Sequence, residues 1–414
     1  MADSSEPEFQ ARSDWHYCRP WFAIFYALRS ATSFRALALA ALGLIGTVAG
    51  WRMFWNLLMG PSEVADKNFA LPEWPWQTGY QDFGSEGIHH IWQGSWSEPY
   101  VEPVLDRVAY LTVPFQYLFD RNLTYVELAY VILCGIWALA VWSFFGGAIT
   151  RLAALRLTRD ELPSTNRLKE FALSRWKSYF SAPLFPLLGI AFIAFGVAIL
   201  GLFARSDTTA IVTAIFWPFA LLAGLLMTIL LIGLAFGWPL MWATVSTEGK
   251  DAFDALSRSY AYVFQRPLLY IVYAVMASIV GIIGYFLVRM FATLVVYMTL
   301  WAASWGAGTA RIEKVAVMPG LDDPIGSFAS VLIMFCNDAV MTLAAAFAIS
   351  YLWCSAVAIY LLLRRHVDAA ELDQVNLDPQ EENFALPSLE ADANESPAAS
   401  QGDGPSEQSP EGDS

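Results

Sequence analysis

Residues 209–237 read TAIVTAIFWPFALLAGLLMTILLIGLAFG, without one charged side chain. Hydrocarbon offers a backbone N–H or C=O no partner, so a block of this kind crosses a bilayer as a helix. A crossing needs about 20 apolar residues at about 1.5 Å rise each. Five further blocks meet that length, and the crossings fall at roughly 34–58, 123–149, 183–204, 209–237, 267–289 and 339–363. Hydrophobic residues make up 57% of the 414 and charged ones 15%, against about 25% charged in a soluble domain. The expected fold is therefore all-α: a polytopic transmembrane helical bundle with about six crossings.

Lysine and arginine set the orientation. Segment 150–182 carries Arg151, Arg156, Arg159, Arg167, Lys169, Arg175 and Lys177 against three acidic residues. Loop 59–122 carries three basic and nine acidic residues. The first is read as cytoplasmic and the second as external, which places both termini inside. Residues 1–33 form a cytoplasmic lead, and the run from Phe34 acts as an uncleaved anchor rather than a signal peptide. Residues 366–414 form an acidic tail. Of the net charge of −14, its stretch 368–414 supplies 13 acidic residues and no Lys or Arg. That composition predicts disorder and offers the tail to cytoplasmic protein partners. A basic nucleic-acid footprint is absent.

Two stretches complicate the count. Residues 267–308 are nearly uninterrupted apolar positions broken by Arg289. One crossing continuing into an external interfacial segment at 290–308 is expected, with 325–338 on the same face. Eight crossings are the alternative. A break is expected at Gly237–Pro239, because proline cannot continue the hydrogen-bond ladder. Trp238 and Trp242 then fall at headgroup level.

Three segments precede crossings and look alike. Residues 27–30 read ALRS, 172–175 read ALSR, and 255–258 read ALSR again. Aromatic residues and Pro183-Leu184 or Pro267-Leu268 follow the last two. In 250–266, Phe253, Leu256, Tyr260 and Val263 share one helical face, while Asp254 and Arg258 form an i,i+4 pair elsewhere. Phe171, Trp176 and Phe180 supply the matching aromatic positions upstream. These segments read as cytoplasmic interfacial amphipathic helices, each leading into a helical hairpin, with Pro183 and Pro267 expected to let the chain turn into the membrane. Either three repeated units or the ordinary composition of an interface helix accounts for the likeness.

Residues 236–244, FGWPLMWAT, with 248–268, EGKDAFDALSRSYAYVFQRPL, and GGAITR at 146–151 form the most distinctive text. This resembles an uncharacterised family of multi-pass bacterial membrane proteins of planctomycete type, over roughly residues 130–300. The resemblance implies a bacterial inner-membrane protein and carries no activity.

Chemistry leaves few traces. No HExxH, GxSxG or GxxxxGK[ST] motif occurs, and no cofactor is called for. Cys18, Cys134, Cys336 and Cys354 are scattered and read as small hydrophobes. His89 and His90 are the only metal-ligand candidates, near Asp82, Glu86 and Glu98. Adjacent side chains point apart on regular backbone, so surface histidines are the plainer reading. Trp74, Trp76, Trp92 and Trp96 suit an interfacial belt, and 104–119 an amphipathic helix kinked at Pro114. Arg289 lies ~33 Å above Pro267, and Asp338 ~39 Å above Arg364. They are expected to pair near the external interface, with Arg311 as the alternative partner of Asp338. Gly46/Gly50, Gly233/Gly237 and Gly281/Gly284 form small-residue seams for folding or self-association. The leading functional expectation is a non-enzymatic envelope scaffold. A transporter or channel for a small or lipid-like solute is the alternative, and a membrane enzyme the third.

Overall fold

The computed structural model describes residues 22–59, 74, 112–119, 123–309, 311–312 and 324–368. The long elements are all helical: α1 (Phe22–Ala31), α2 (Phe34–Leu58), α3 (Tyr125–Arg159), α4 (Thr165–Ser174), α5 (Trp176–Phe203), α6 (Asp207–Glu248), α7 (Ala252–Gln265), α8 (Pro267–Ala307) and α9 (Pro324–Val367). Six of them are long and apolar enough to cross a bilayer. The chain is therefore a multi-pass integral membrane protein built as an all-α bundle.

Among these nine helices the order is short, long, long, repeated three times. Each short helix (α1, α4, α7) feeds a long one (α2, α5, α8), which returns through a second (α3, α6, α9). Within every unit the two long helices are close partners, and α3, α6 and α9 also pack on one another. Each short helix seats on the second long helix of the preceding unit: α4 on α3, α7 on α6, and α1 back onto α9. The units thus close into a ring with three inner helices. Their C-terminal ends and the short helices form one packed end, called here the head.

Local chemistry sets the boundaries. Thr124 and Glu127 make a reciprocal capping box at the start of α3: the Glu127 amide donates to Thr124 Oγ1 at 3.3 Å, and the Thr124 amide donates to Glu127 Oε2 at 2.7 Å. Gly249, at φ 63°, ends α6 in the left-handed region and reverses the chain toward α7. Pro267 stands at the first turn of α8, where its missing N–H costs nothing.

Four expectations are corrected. Helix α6 does not break at Gly237–Pro239 but runs through Pro218 and Pro239 to Glu248. Trp242 consequently lies fully buried in the head, not among headgroups. Residues 267–307 form one helix rather than a crossing plus an interfacial segment, and 325–338 belongs to the same helix as 339–363. Pro183 does not turn the chain into the membrane; α5 has already started at Trp176 and carries Pro183 and Pro186 inside it. The cost of Pro183 is offset locally. Proline at 183 leaves the Tyr179 carbonyl without its helical donor, and the Trp242 indole N–H donates to it at 2.9 Å.

Glycine seams are filled from within the chain. Trp137 Nε1 donates to the Gly46 carbonyl at 2.9 Å, and its ring occupies the space a Cβ on Gly50 would need. Tyr351 does the same in the third hairpin, donating to the Ala277 carbonyl at 3.0 Å beside Gly281. Gly50→Ala is expected to cost about 1–3 kcal/mol through displacement of Trp137. Gly196→Ala, which meets nothing within 4 Å, provides the neutral control. Detergent-solubilised thermal unfolding measures both.

Outside the head the hairpins simplify. From 209 to 230, α6 packs on α5 along one stripe, marked by Thr213 donating to the Leu200 carbonyl at 3.2 Å and by Leu230 against Gly189. Near the opposite end of the molecule, residues 112–117 are helical, and Pro114 and Phe115 approach Gly135 of α3. Arg52 stands over the Trp74 ring at 4.8 Å. Residues 104–111, His89, His90, Trp76, Trp92, Trp96 and the tail beyond Asp368 lie outside the described residues.

Candidate functional site

The polar groups of the head converge at the ends of the inner helices. Glu248 is the hub. It is the last residue of α6, its side chain only 8% exposed. Its Oε1 accepts from Tyr360 Oη of α9 at 2.6 Å and from Arg258 Nη1 of α7 at 2.8 Å, with Arg364 Nε at 3.4 Å. A carboxylate removed from water needs such donors. Asp368, just past α9, extends the cluster: Tyr262 Oη donates to it, and Arg258 lies 3.8 Å away. The first residue of the acidic stretch is thereby tied to α7.

Electrostatics follow the geometry. Burial works against the charge of Arg258, but Glu248 beside it outweighs this and holds the guanidinium above its ordinary value. Burial, reinforced by the bond to Asp368, pushes the Tyr262 phenol well up. Burial alone pushes Tyr260 up to about 12, so all three groups keep their protons at neutral pH.

A second network joins units one and two. Ser246 Oγ donates to Thr150 Oγ1 at 2.6 Å, and Thr150 donates onward to the Gly146 carbonyl at 2.9 Å. A serine hydroxyl has one proton, so Tyr179 must be the donor in its 2.7 Å contact with Ser246. Arg151, fully buried, donates to the Ser246 carbonyl at 2.8 Å and stacks over Phe171 at 4.1 Å. These bonds hold α3, α5 and α6 together.

One to two turns before both networks on the inner helices lies an aromatic plug. Trp142, Trp242 and Trp353, one from each inner helix, are buried together. Trp242 and Trp353 stack at 4.3 Å between centroids with 13° between planes, and Trp238 meets both edge-on at 5.9 and 5.0 Å. Trp142 lies 6.4 Å from Trp353. A Cβ on Gly146 would enter the Trp242 ring.

The residues singled out from sequence are partly brought together here. Arg258 joins the hub, but not with its expected partner: Asp254 instead lies 4.0 Å from Lys250. Tyr260 wedges against Gly233 and donates to the Leu230 carbonyl at 2.7 Å, and Leu256 is half-buried near it. Phe253 is 71% exposed beside Phe185. Trp176 stacks on Phe180 at 5.2 Å. The Arg289–Asp338 pair does not form. Arg289 donates to Tyr285 Oη at 3.3 Å, and among the described residues neither Arg289 nor Arg311 comes within 4 Å of the Asp338 carboxylate. Each arginine follows its own helix face, and depth alone does not bring two side chains into register. Sequence reading passed over Glu248, Tyr360, Arg364, Tyr179 and Ser246. Glu248 carried one usable signal: Gly249 behind it marks a helix end, where a carboxylate is costly unless cations meet it.

No protein-family model, curated protein or solved structure matches this chain.

Proposed function

We propose that the chain is a non-enzymatic membrane scaffold of a bacterial inner membrane, holding a rigid head at the cytoplasmic face and offering the acidic stretch 368–414 to partner proteins. The observation that carries this reading is the filled axis of the head. The space between the inner helices, where a conduit would run, is occupied by Trp142, Trp238, Trp242 and Trp353, and the bonds of Arg151 and Glu248 tie the helices just beyond it. Orientation is supported by charge. Arg151, Arg156, Arg159, Arg364 and Arg365 cluster at the head ends of α3 and α9, which the positive-inside rule assigns to the cytoplasm. The resemblance around residues 130–300 favours the bacterial setting. With Asp368 bound to the head, the acidic stretch starts from a fixed point.

The test is co-purification in mild detergent of the full chain and of a chain ending at Asp368, which keeps the Glu248 cluster whole. Loss of specific partners from the shortened chain is the expected outcome. An identical set of partners removes the docking role. Selective solute uptake by proteoliposomes of the full chain would overturn the scaffold reading.

A further inference from the structure

We infer that bilayer lipid enters the footprint of the molecule, with acyl chains filling the space on the axis side of the second hairpin. This rests on the bilayer reading above and goes beyond it: the contact lies on the inner face of an inner helix, not only on the outer belt.

The argument follows one stripe of α6. On the side away from α5, the positions are Ile211, Leu222, Leu225, Ile229 and, in the head, Leu240 and Ala243, all at helical spacing. Leu240 and Ala243 are 1% and 0% exposed, because α3 and α9 pack on α6 there. Leu222 and Leu225 are 61% and 58% exposed. The same face is thus core at one end and open farther along. Outside the head the second hairpin is a two-helix leg whose helices touch chiefly each other.

Lipid is the occupant that fits. A protein partner would mark one face, but the leg is uncharged and largely apolar on every side: Phe219, Leu221 and Leu226 are also more than half or about half exposed, and the exposed Thr228 hydroxyl bonds back to the Gly224 carbonyl. No charged residue occurs between Asp207 and Glu248. Charged groups return at the tip, with Arg205 and Asp207, where headgroups would lie. From Ile211 to Ile229 the stripe rises ~27 Å, close to the ~30 Å of a hydrocarbon core.

The experiment uses the full chain with its four cysteines replaced by serine, carrying one introduced cysteine labelled with bimane. It is reconstituted in phosphatidylcholine vesicles containing mid-chain spin-labelled phosphatidylcholine. Phe192→Cys on the outer face of α5 reports embedding, and Thr213→Cys, buried against α5, reports protein contact. Leu222→Cys and Leu225→Cys are expected to quench as strongly as Phe192→Cys and several-fold more than Thr213→Cys. Quenching at the level of Thr213→Cys would overturn the inference. If that protection disappeared on dilution into excess lipid, a second copy of the chain would be the occupant instead. Failure of Phe192→Cys to quench would sink the bilayer reading itself, and the inference with it.

Discussion

Glu248→Ala is expected to destabilise the head by about 3 kcal/mol, chiefly through lost charge pairing rather than lost apolar burial. The carboxylate receives Tyr360, Arg258 and Arg364 from two other helices. Its removal takes a carboxylate partner from two guanidinium groups. Arg364 is only 12% exposed and loses most, while Arg258 is 39% exposed and recovers part of its hydration from water. That places the cost at the lower end of the range for a broken buried pair. Glu248→Gln keeps an acceptor for Tyr360 and loses the charge, so its midpoint should fall between those of wild type and Glu248→Ala. Thermal unfolding in detergent, followed by tryptophan emission, measures the series. A Glu248→Ala midpoint equal to that of wild type would show that the cluster is not a structural clamp.

Trp353→Ala comes next, at about 3–5 kcal/mol. Its ring packs on both Trp242 and Trp238 with no exposure, and it also contacts the space that Gly146 leaves open. Truncation removes the stacking partner of Trp242 and leaves a cavity that rigid inner helices close only in part. Trp353→Phe keeps an aromatic face and should recover much of the loss. The indole N–H of Trp353 makes no hydrogen bond among the described residues, so phenylalanine sacrifices none there. The plug and the Glu248 cluster sit on the same helix ends. The double variant Glu248→Ala/Trp353→Ala is therefore expected to fall short of additivity, since one opened helix end removes both sets of contacts.

Much of the fold was legible because hydrophobic length is a one-dimensional property. The block at 209–237 needs no neighbour to be recognised as a crossing, and α7 at Ala252–Gln265 was readable from its own periodicity. What failed was punctuation. Pro183 and Pro239 looked like breaks, yet both lie inside helices, and for Pro183 the freed Tyr179 carbonyl is met by the Trp242 indole, a donor 63 positions away. Pro267, with no such donor required at a first turn, behaved as its local chemistry demands. The candidate site was less legible for the same reason. Arg258 was visible, but its partner Glu248 stands across a glycine reversal, and Tyr360 and Arg364 arrive more than a hundred positions later. Asp338 and Arg289 shared a predicted depth, but side-chain pairing also depends on helix rotation, which hydropathy does not encode.

The proposed placement of the three hairpins across a membrane, with the head on the cytoplasmic side, underlies the functional reading. Thiol labelling in intact spheroplasts tests it most directly. With the native cysteines replaced by serine, one cysteine is introduced at Ser206, in the turn between α5 and α6, or at Asp251, between α6 and α7. A membrane-impermeant maleimide should label Ser206→Cys at once and Asp251→Cys only after lysis. Labelling of both positions before lysis, or of Asp251→Cys alone, would contradict the account.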